Sequence, residues 1–243
     1  AMIIMRRELK SYFAQPIAYV FGVLFLAVMG ILVILQGSAL GHGSPASMQV
    51  FFGQLPMVFL FFLPALTMRL WAEERKLGTI ELLMTFPVEV RHLIAGKFLA
   101  SLVYLGLILL LTFGLPLTMG QFGDLDWGPV LIGYLSAMLM ASAYIAVGMF
   151  CSALTRDQIV ALLLALVVLL LLYYLGDPRV LLRLESALPD WLTGILGGIS
   201  PFKYFVSIQR GVVDTRDLIF YVCFGGFFLY MNALVLQGRR LKG

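Results

Sequence analysis

The residues best able to do chemistry form one polar segment, Glu73 to Pro87, between two strongly apolar runs. The segment begins with four consecutive charged side chains, Glu73-Glu74-Arg75-Lys76, and carries a further carboxylate at Glu81. Charges of both signs side by side are typical of a surface that docks in one register on a complementary protein. In a chain dominated by apolar residues, we interpret this segment as the docking site of a soluble partner.

Motifs of enzymes and metal sites are absent from the sequence. It contains no G-x-x-x-x-G-K-[ST] loop to hold nucleotide phosphates, and no HExxH, CxxC or G-x-S-x-G pattern. His42 and His92 are isolated, and Cys151 and Cys223 both fall in apolar runs, where cysteine behaves as a small apolar side chain. We expect no catalytic, cofactor or metal site in this chain, and any ATP must be hydrolysed by a separate protein.

The composition predicts an integral membrane protein of all-α class. Of its 243 residues 61% are hydrophobic and only 12% are charged, with a mean hydropathy of +0.99. Several runs reach the roughly 17–25 residues that a helix needs to cross a bilayer. We predict a single transmembrane domain over residues 1–243, with a second span kinked at Pro56 and Pro64 and six spans at about 17–37, 50–71, 98–119, 128–153, 159–175 and 217–238.

The distribution of charge predicts the orientation in the membrane. Twelve of the 17 Lys and Arg residues fall on one side of the predicted spans, and the short loops on the other side carry none. By the positive-inside rule both termini are cytoplasmic. The net charge of +4 therefore reflects topology and not nucleic-acid binding. The twelve residues are Arg6, Arg7, Lys10, Arg69, Arg75, Lys76, Arg91, Lys97, Arg156, Arg239, Arg240 and Lys242.

Three further segments have recognisable patterns. Residues 3–13 alternate apolar and basic positions at helical spacing, which indicates an interfacial helix that Pro16 separates from the first span; an ordinary basic flank is the alternative. Residues 176–216 predict short amphipathic helices on the extracytoplasmic side. The cytoplasmic turn at Arg156, Asp157 and Gln158 makes the fourth and fifth spans an antiparallel hairpin. Polar residues within spans, Gln54, Ser142 and Asn232, are interpreted as interhelical hydrogen-bonding groups.

The polar segment itself predicts a short helix. Gly78 ends the preceding helix, and Thr79 can cap a new one in which Glu81 complements the helix dipole. Ile80, Leu83, Met84 and Pro87 would then present an apolar knob suited to a groove on a partner protein. The alternative is an interfacial helix that lies on lipid headgroups.

Three blocks of sequence resemble one known family. The first is Trp71 to Leu83 with Pro87 and Leu93-Ile94-Ala95-Gly96-Lys97, the second is Gly148 to Gln158, and the third combines Ser200 to Phe205 with Arg210 to Asp217. Together they are similar to the type-2 ATP-binding-cassette (ABC) permeases, and most similar to the branch that contains GldF-like and NosY-like permeases.

The resemblance implies a bacterial inner-membrane subunit, acting in export, that pairs with a second copy and with two ATPase subunits, which bind ATP and magnesium. It makes residues 79–86 the coupling helix. The ATPase-coupling residues that it implies are Glu73, Glu74, Arg75, Gly78, Thr79, Ile80, Glu81, Leu82, Leu83, Met84 and Pro87.

Two other function classes stay open at this point. Transport without an ATPase requires an ionisable relay near the centre of a span, and the sequence offers none there. A force-transmitting component would use the same coupling architecture to act on an extracytoplasmic accessory protein without moving a solute. The sequence does not identify a cargo.

Overall fold

A computed structural model describes residues 2–14, 16–35, 48–79, 89–122, 125–185, 189–209 and 214–240. Over these ranges the chain is helical, with no strand. The helices are α1 (Met2–Ala14), α2 (Pro16–Leu35), α3 (Gln49–Thr67), α4 (Arg69–Lys76), α5 (Val90–Leu111), α6 (Gly114–Phe122), α7 (Trp127–Leu154), α8 (Gln158–Tyr174), α9 (Pro178–Glu185), α10 (Asp190–Ile199), α11 (Pro201–Gln209) and α12 (Thr215–Arg240).

Five stretches of the described chain are long and apolar enough to cross a membrane. They are Ala18–Leu35, Gln49–Lys76, Val90–Gln121, Trp127–Leu154 and Thr215–Gly238, and each overlaps a predicted span. The stretch predicted as the fifth span forms α8, an apolar helix of 17 residues. The prediction of a polytopic helical membrane protein is therefore confirmed.

The central helix of the fold is α7, which packs against α3, α4, α5, α8, α11 and α12. Every residue from Ala143 to Met149 is buried, so this part of the helix is covered on all sides. Small residues make such close packing possible. A Cβ on Gly133 would lie 2.4 Å from the ring of Phe52 in α3, so any larger residue there would force that buried ring to move.

The second span is broken between α3 and α4. Together α3 and α4 extend from residue 49 to residue 76, where one kinked span over about 50–71 is predicted. Pro56 and Pro64 both lie within α3. The break falls at Met68, four residues after Pro64, where the hydroxyl of Thr67 donates to the carbonyl of Leu63 (2.8 Å). A threonine bonded back to its own helix in this way commonly bends it.

The third span differs from its prediction at its start and in its continuity. Its first helix begins at Val90, not at residue 98, because Val90, Ile94 and Lys97 are buried against other helices. A break at Thr112 then separates α5 from α6, since Pro116 has no amide hydrogen to donate to the Thr112 carbonyl. The Thr112 carbonyl instead accepts from the amide of Leu115 (3.0 Å), and the Thr112 hydroxyl donates to the carbonyl of Leu109 (2.6 Å).

The N-terminal helix is separate from the first span, as predicted: α1 ends at Ala14 and α2 begins at Pro16. It is docked on α5, where the Tyr12 ring stacks on Tyr104 at 5.2 Å and the Tyr12 hydroxyl bonds to Ser101 Oγ at 3.0 Å. Burial raises the pKa of the Tyr12 phenol well above its usual range, so this hydroxyl stays protonated. The helix is therefore part of the packed bundle.

The segment after α8 forms the short helices α9, α10 and α11, as the amphipathic pattern predicts. Pro201, Phe205 and Ile208 of α11 are buried. The hydroxyl of Tyr221 in α12 donates to the carbonyl of Pro201 (2.7 Å), which ties this segment to the last span.

The interpretation of two polar span residues as interhelical hydrogen-bonding groups is wrong. Ser142 donates to the carbonyl of Leu139 in its own helix (2.6 Å). Asn232 is completely buried on the face of α12 that also buries Tyr221 and Leu236, and neither of its amide atoms has a hydrogen-bond partner within the described part of the chain.

Replacement of Asn232 with leucine is expected to stabilise the protein by about 1 kcal/mol, because it removes a buried amide that makes no hydrogen bond. The unfolding midpoint of the purified protein in one detergent measures this change. Gln54→Leu is the control, since Gln54 is only half-buried and its replacement should change the midpoint less. A lower midpoint for Asn232→Leu would contradict the prediction.

Candidate functional site

The docking segment predicted from the sequence is only partly within the described residues. Glu73, Glu74 and Arg75 lie in the last turns of α4, and Gly78 and Thr79 follow it. The predicted residues Ile80, Glu81, Leu82, Leu83, Met84 and Pro87 lie outside the described residues. The structure therefore tests how α4 is held in place, and the predicted coupling helix stays a prediction.

Gly78 and Thr79 end α4. Gly78 has φ +71°, in the left-handed region that glycine adopts without a Cβ penalty, as is common after the last turn of a helix. The Thr79 hydroxyl donates to the carbonyl of Glu74 (3.2 Å) and satisfies one of the terminal carbonyls of the helix. The expectation that Gly78 ends the helix is confirmed.

The break between α3 and α4 is filled by one side chain of α7. The Ser152 hydroxyl donates to the carbonyl of Met68 (2.8 Å) and accepts from the amides of Trp71 (3.1 Å) and Ala72 (3.2 Å). In an unbroken helix the Trp71 amide would bond to the carbonyl of Thr67. Because the helix is interrupted at Met68, that amide instead donates to Ser152, which satisfies it inside a buried joint.

A second contact fixes α7 at the same joint. A Cβ on Gly148 would lie 2.1 Å from the Oγ1 of Thr67, far inside the distance of any real contact. Gly148 and Ser152 are four residues apart, so both face the break from one side of α7. Gly148 leaves room for the bend at Thr67, and the Ser152 hydroxyl bonds to backbone groups at that bend.

Arg75 connects α4 to the end of α7. Its Nη1 donates to the carbonyls of Ala153 (2.9 Å) and Thr155 (2.6 Å), which lie at the C-terminus of α7, where helix carbonyls lack partners. A cation is also favoured there by the helix dipole. The structure therefore places Arg75, a predicted ATPase-coupling residue, next to the predicted cytoplasmic turn.

In that turn, Asp157 caps α8. Its Oδ1 accepts from the amides of Ile159 (2.8 Å) and Val160 (3.3 Å), and Gln158 is the first residue of the helix. Only Thr155, Arg156 and Asp157 separate α7 from α8, so the connection is as short as the sequence predicts. The hairpin of α7 and α8 is thereby confirmed.

Glu74 faces a different neighbour, the buried ammonium of Lys97 in α5. Lys97 Nζ is 2.8 Å from Glu74 Oε1 and 3.4 Å from Glu8 Oε1 of α1, and its side chain is 3% exposed. Arg7 also reaches Glu8 at 3.0 Å, and the ring of Trp71 lies 5.1 Å from Lys97 Nζ in a cation–π contact. This ion cluster joins α1, α4 and α5.

Glu89 follows the docking segment and immediately precedes α5. Arg91 donates a hydrogen bond to its carboxylate, and this bond holds the pKa of Glu89 below its usual value. Both side chains are largely exposed, so the pair is a surface feature and not part of the buried ion cluster.

Comparison with known proteins decides the family. A family model described as ABC-2 family transporter protein matches residues 2–212 of the chain. The chain belongs to the ABC-2 family. No curated protein matches the sequence at a significant level.

Membership of the ABC-2 family gives the chain a coarse function. It is a membrane component of an ABC transporter, of a kind that is typically not catalytic itself and that works with an ABC ATPase. Within the described ranges no three His, Cys, Asp or Glu side chains are grouped so that they could hold a metal ion.

Sequence reasoning missed two of the residues that fix α4 in this ABC-2 protein, Lys97 and Ser152. The sequence presents Lys97 as a cytoplasmic charge and as the end of a block shared with the family, although it follows Val90, Leu93 and Ile94 at helical spacing and so lies on the buried face of α5. For Ser152 the available signal was its spacing of four residues from Gly148, which places both on one face of α7.

Proposed function

We propose that this chain is the permease subunit of an ABC transporter, which forms the translocation pathway with a second copy of itself and is driven by two separate ATPase subunits that bind ATP and magnesium. The segment from Glu73 to Pro87 is the part that meets the ATPase. Family membership supports the permease role, and the attachment of α4 to its neighbours supports the coupling role.

The observation that carries the coupling role is the set of polar bonds around α4. Ser152 and Arg75 join α4 to α7, and the ion pair of Glu74 with Lys97 joins it to α5. Interiors packed and bonded in this way move as units rather than deform continuously. A force on the segment that follows Gly78 would therefore reach two membrane helices directly.

The proposal includes six spans, with α8 as the fifth. Its 17 residues extend over about 26 Å at 1.5 Å per residue, close to the roughly 30 Å of a bilayer core. The helix packs beside α7 after a three-residue connection, and one side of it exposes Val160, Leu163, Val167 and Leu171. An exposed apolar face of this kind is suited to lipid.

The proposed location is the bacterial inner membrane with both termini in the cytoplasm, which the distribution of Lys and Arg supports. The sequence blocks that resemble the GldF-like and NosY-like branch support placement near that branch and a role in export. Both assignments depend on the resemblance.

Glu81→Lys tests the coupling role, because it reverses a charge on the surface proposed to meet the ATPase. We expect at least a several-fold fall in the transport-linked ATPase activity of the reconstituted complex. The wild-type chain should copurify with an ABC ATPase, and absence of such a partner would remove the basis of the proposal.

The control is Lys203→Glu, which reverses an exposed charge on α11. This helix lies in the segment after the C-terminal end of α8, whereas α4 contacts the turn that precedes the N-terminal end of α8. This variant should assemble and hydrolyse ATP as the wild type does. Unchanged assembly and activity in Glu81→Lys would argue against the role given to Glu81.

A force-transmitting component without a solute is the alternative function, and one observation favours it. Trp191, Ile195 and Ile199 are 67%, 54% and 44% exposed along one face of α10, which follows the end of α8 opposite its turn with α7. Such a face suits an extracytoplasmic partner. ATPase activity stimulated by a solute in liposomes would favour transport, and stimulation only by an added extracytoplasmic protein would favour force transmission.

A further inference from the structure

A cavity of about 420 Å³ lies where α1 meets the beginnings of α2 and α5 and the junction of α3 with α4. The ends of α1, α2, α4 and α5 that line it meet on one face of the bundle, near the limits of the candidate spans Ala18–Leu35, Gln49–Lys76 and Val90–Gln121. The cavity is therefore at the depth where a bilayer changes from hydrocarbon to headgroups.

The wall of the cavity has one apolar and one polar part. Phe21, Ala65 and Leu66 line it from α2 and α3, and the side chains of Arg7 and Ser11 line it from α1. An occupant that satisfies both parts has an apolar portion and a polar, hydrogen-bonding portion. A phospholipid at the interface has this composition, and the depth of the cavity favours it over a soluble metabolite.

Charge on the wall selects among phospholipids. Three cationic side chains, Arg7, Arg69 and Lys97, face three carboxylates, Glu8, Glu73 and Glu74, so the lining has no net formal charge. A balanced wall gives a purely anionic headgroup no net attraction, but it complements a zwitterion, with phosphate on the guanidinium groups and amine on a carboxylate.

Glu73 is the carboxylate available for an amine. Lys97 binds both Glu8 and Glu74, whereas the Glu73 carboxylate makes no hydrogen bond or ion pair with any other described residue. A primary ammonium can donate up to three hydrogen bonds, and a quaternary ammonium has none to donate. The wall thus favours an ethanolamine headgroup over a choline headgroup.

A second, smaller hollow beside the cavity has room for the first part of an acyl chain. It has a volume of about 190 Å³, shares Ala18 with the cavity, and is lined by Gly22, Leu26, Leu107 and Leu111. From Ala18 to Leu26 it follows α2 for about 12 Å, at 1.5 Å per residue. Gly22 leaves the groove open along the middle of this length.

We propose that this cavity is a binding site for the headgroup of a zwitterionic phospholipid with a primary amine, of the phosphatidylethanolamine class, with an acyl chain in the groove between α2 and α5. Arg7 and Arg69 bind the phosphate, and Glu73 accepts hydrogen bonds from the amine. The lipid joins α1 to α4 at the same place as the ion cluster of Lys97.

Native mass spectrometry of the purified full chain, with an equimolar mixture of phosphatidylethanolamine, phosphatidylcholine and phosphatidylglycerol of the same acyl chains, tests the proposal. We expect phosphatidylethanolamine to be retained roughly tenfold more than either competitor, the ratio that a single additional charge-assisted hydrogen bond provides. Soluble glycerophosphoethanolamine should not displace it. Equal retention of all three lipids, or displacement by the soluble headgroup, would overturn the proposal.

Two pairs of variants identify the residues. Glu73→Gln should lower the preference for ethanolamine over choline to about one, whereas Glu89→Gln, at an exposed carboxylate outside the cavity, should keep it. Gly22→Leu should reduce retention of every lipid by filling the groove, whereas Gly30→Leu, on the same helix with open space around it, should not. A preference that persists in Glu73→Gln would contradict the site.

Discussion

Replacement of Ser152 with alanine should lower the free energy of unfolding by about 2–3 kcal/mol, the largest effect expected of so small a change in this chain. The hydroxyl it removes is bonded to the Met68 carbonyl and to the amides of Trp71 and Ala72, and Ser152 is completely buried. Without it, the buried Trp71 amide at the break between α3 and α4 loses its acceptor.

The unfolding midpoint of the purified chain in one detergent measures the effect. Ser136→Ala is the matched control, because Ser136 is equally buried on the same helix but donates only to the carbonyl of Gly133 in that helix (2.8 Å). It should change the midpoint little. If both variants unfold at the wild-type midpoint, Ser152 does not hold the joint.

Lys97→Met should destabilise the protein by about 3 kcal/mol. The substitution keeps much of the volume of the side chain but leaves Glu8 and Glu74, which are 15% and 17% exposed, without the ammonium that lies between them. Removing one partner of a buried ion pair is costly because the remaining charge has lost its water.

Thermal unfolding of Lys97→Met, Glu74→Gln and the double variant measures the coupling energy between the two residues. The double variant should recover part of the stability that Lys97→Met loses. Arg91→Met is the control, since Arg91 pairs with Glu89 in full contact with solvent and its loss should leave the midpoint nearly unchanged. Equal effects of Lys97→Met and Arg91→Met would contradict burial of the ion pair.

Both predictions concern the attachment of α4, which is where stability and the proposed function depend on the same contacts. Arg75 and Ser152 attach α4 to α7, and Glu74 attaches it to α5. Because the proposed coupling segment follows α4 directly, weakening either attachment should also reduce coupling to the ATPase. Stability and ATPase stimulation measured on the same variants would then fall together.

Span positions were predictable wherever a single helix runs without interruption. The fourth predicted span, 128–153, corresponds to α7 (Trp127–Leu154), and the last, 217–238, corresponds to α12 (Thr215–Arg240). Errors arose where a helix is held by tertiary contacts. The burial of Lys97 allows α5 to begin before the predicted third span, and at the break after α5 the Thr112 hydroxyl meets the hydroxyl of Tyr134 in α7 (3.0 Å).

The docking segment shows the same division. Its charged residues and the helix-ending role of Gly78 could be predicted, because both depend on local sequence. The partners of those charges could not, since Arg75 and Thr155 are far apart in the chain and come together only when α4 packs on α7. Nothing in the order of residues links Glu8, Glu74 and Lys97.

By itself the sequence determined that this is a helical membrane protein without a nucleotide-binding loop, and that one charged segment interrupts its apolar runs. These properties follow from composition and local periodicity. An apolar segment in lipid must satisfy its own backbone hydrogen bonds, and it does so by forming a helix. The tertiary structure alone decided how α4 is held, because a buried hydroxyl or ammonium acquires its role from whatever unsatisfied group packing brings within hydrogen-bond distance. Ser152 at the broken second span and Lys97 between two carboxylates depend most clearly on such packing.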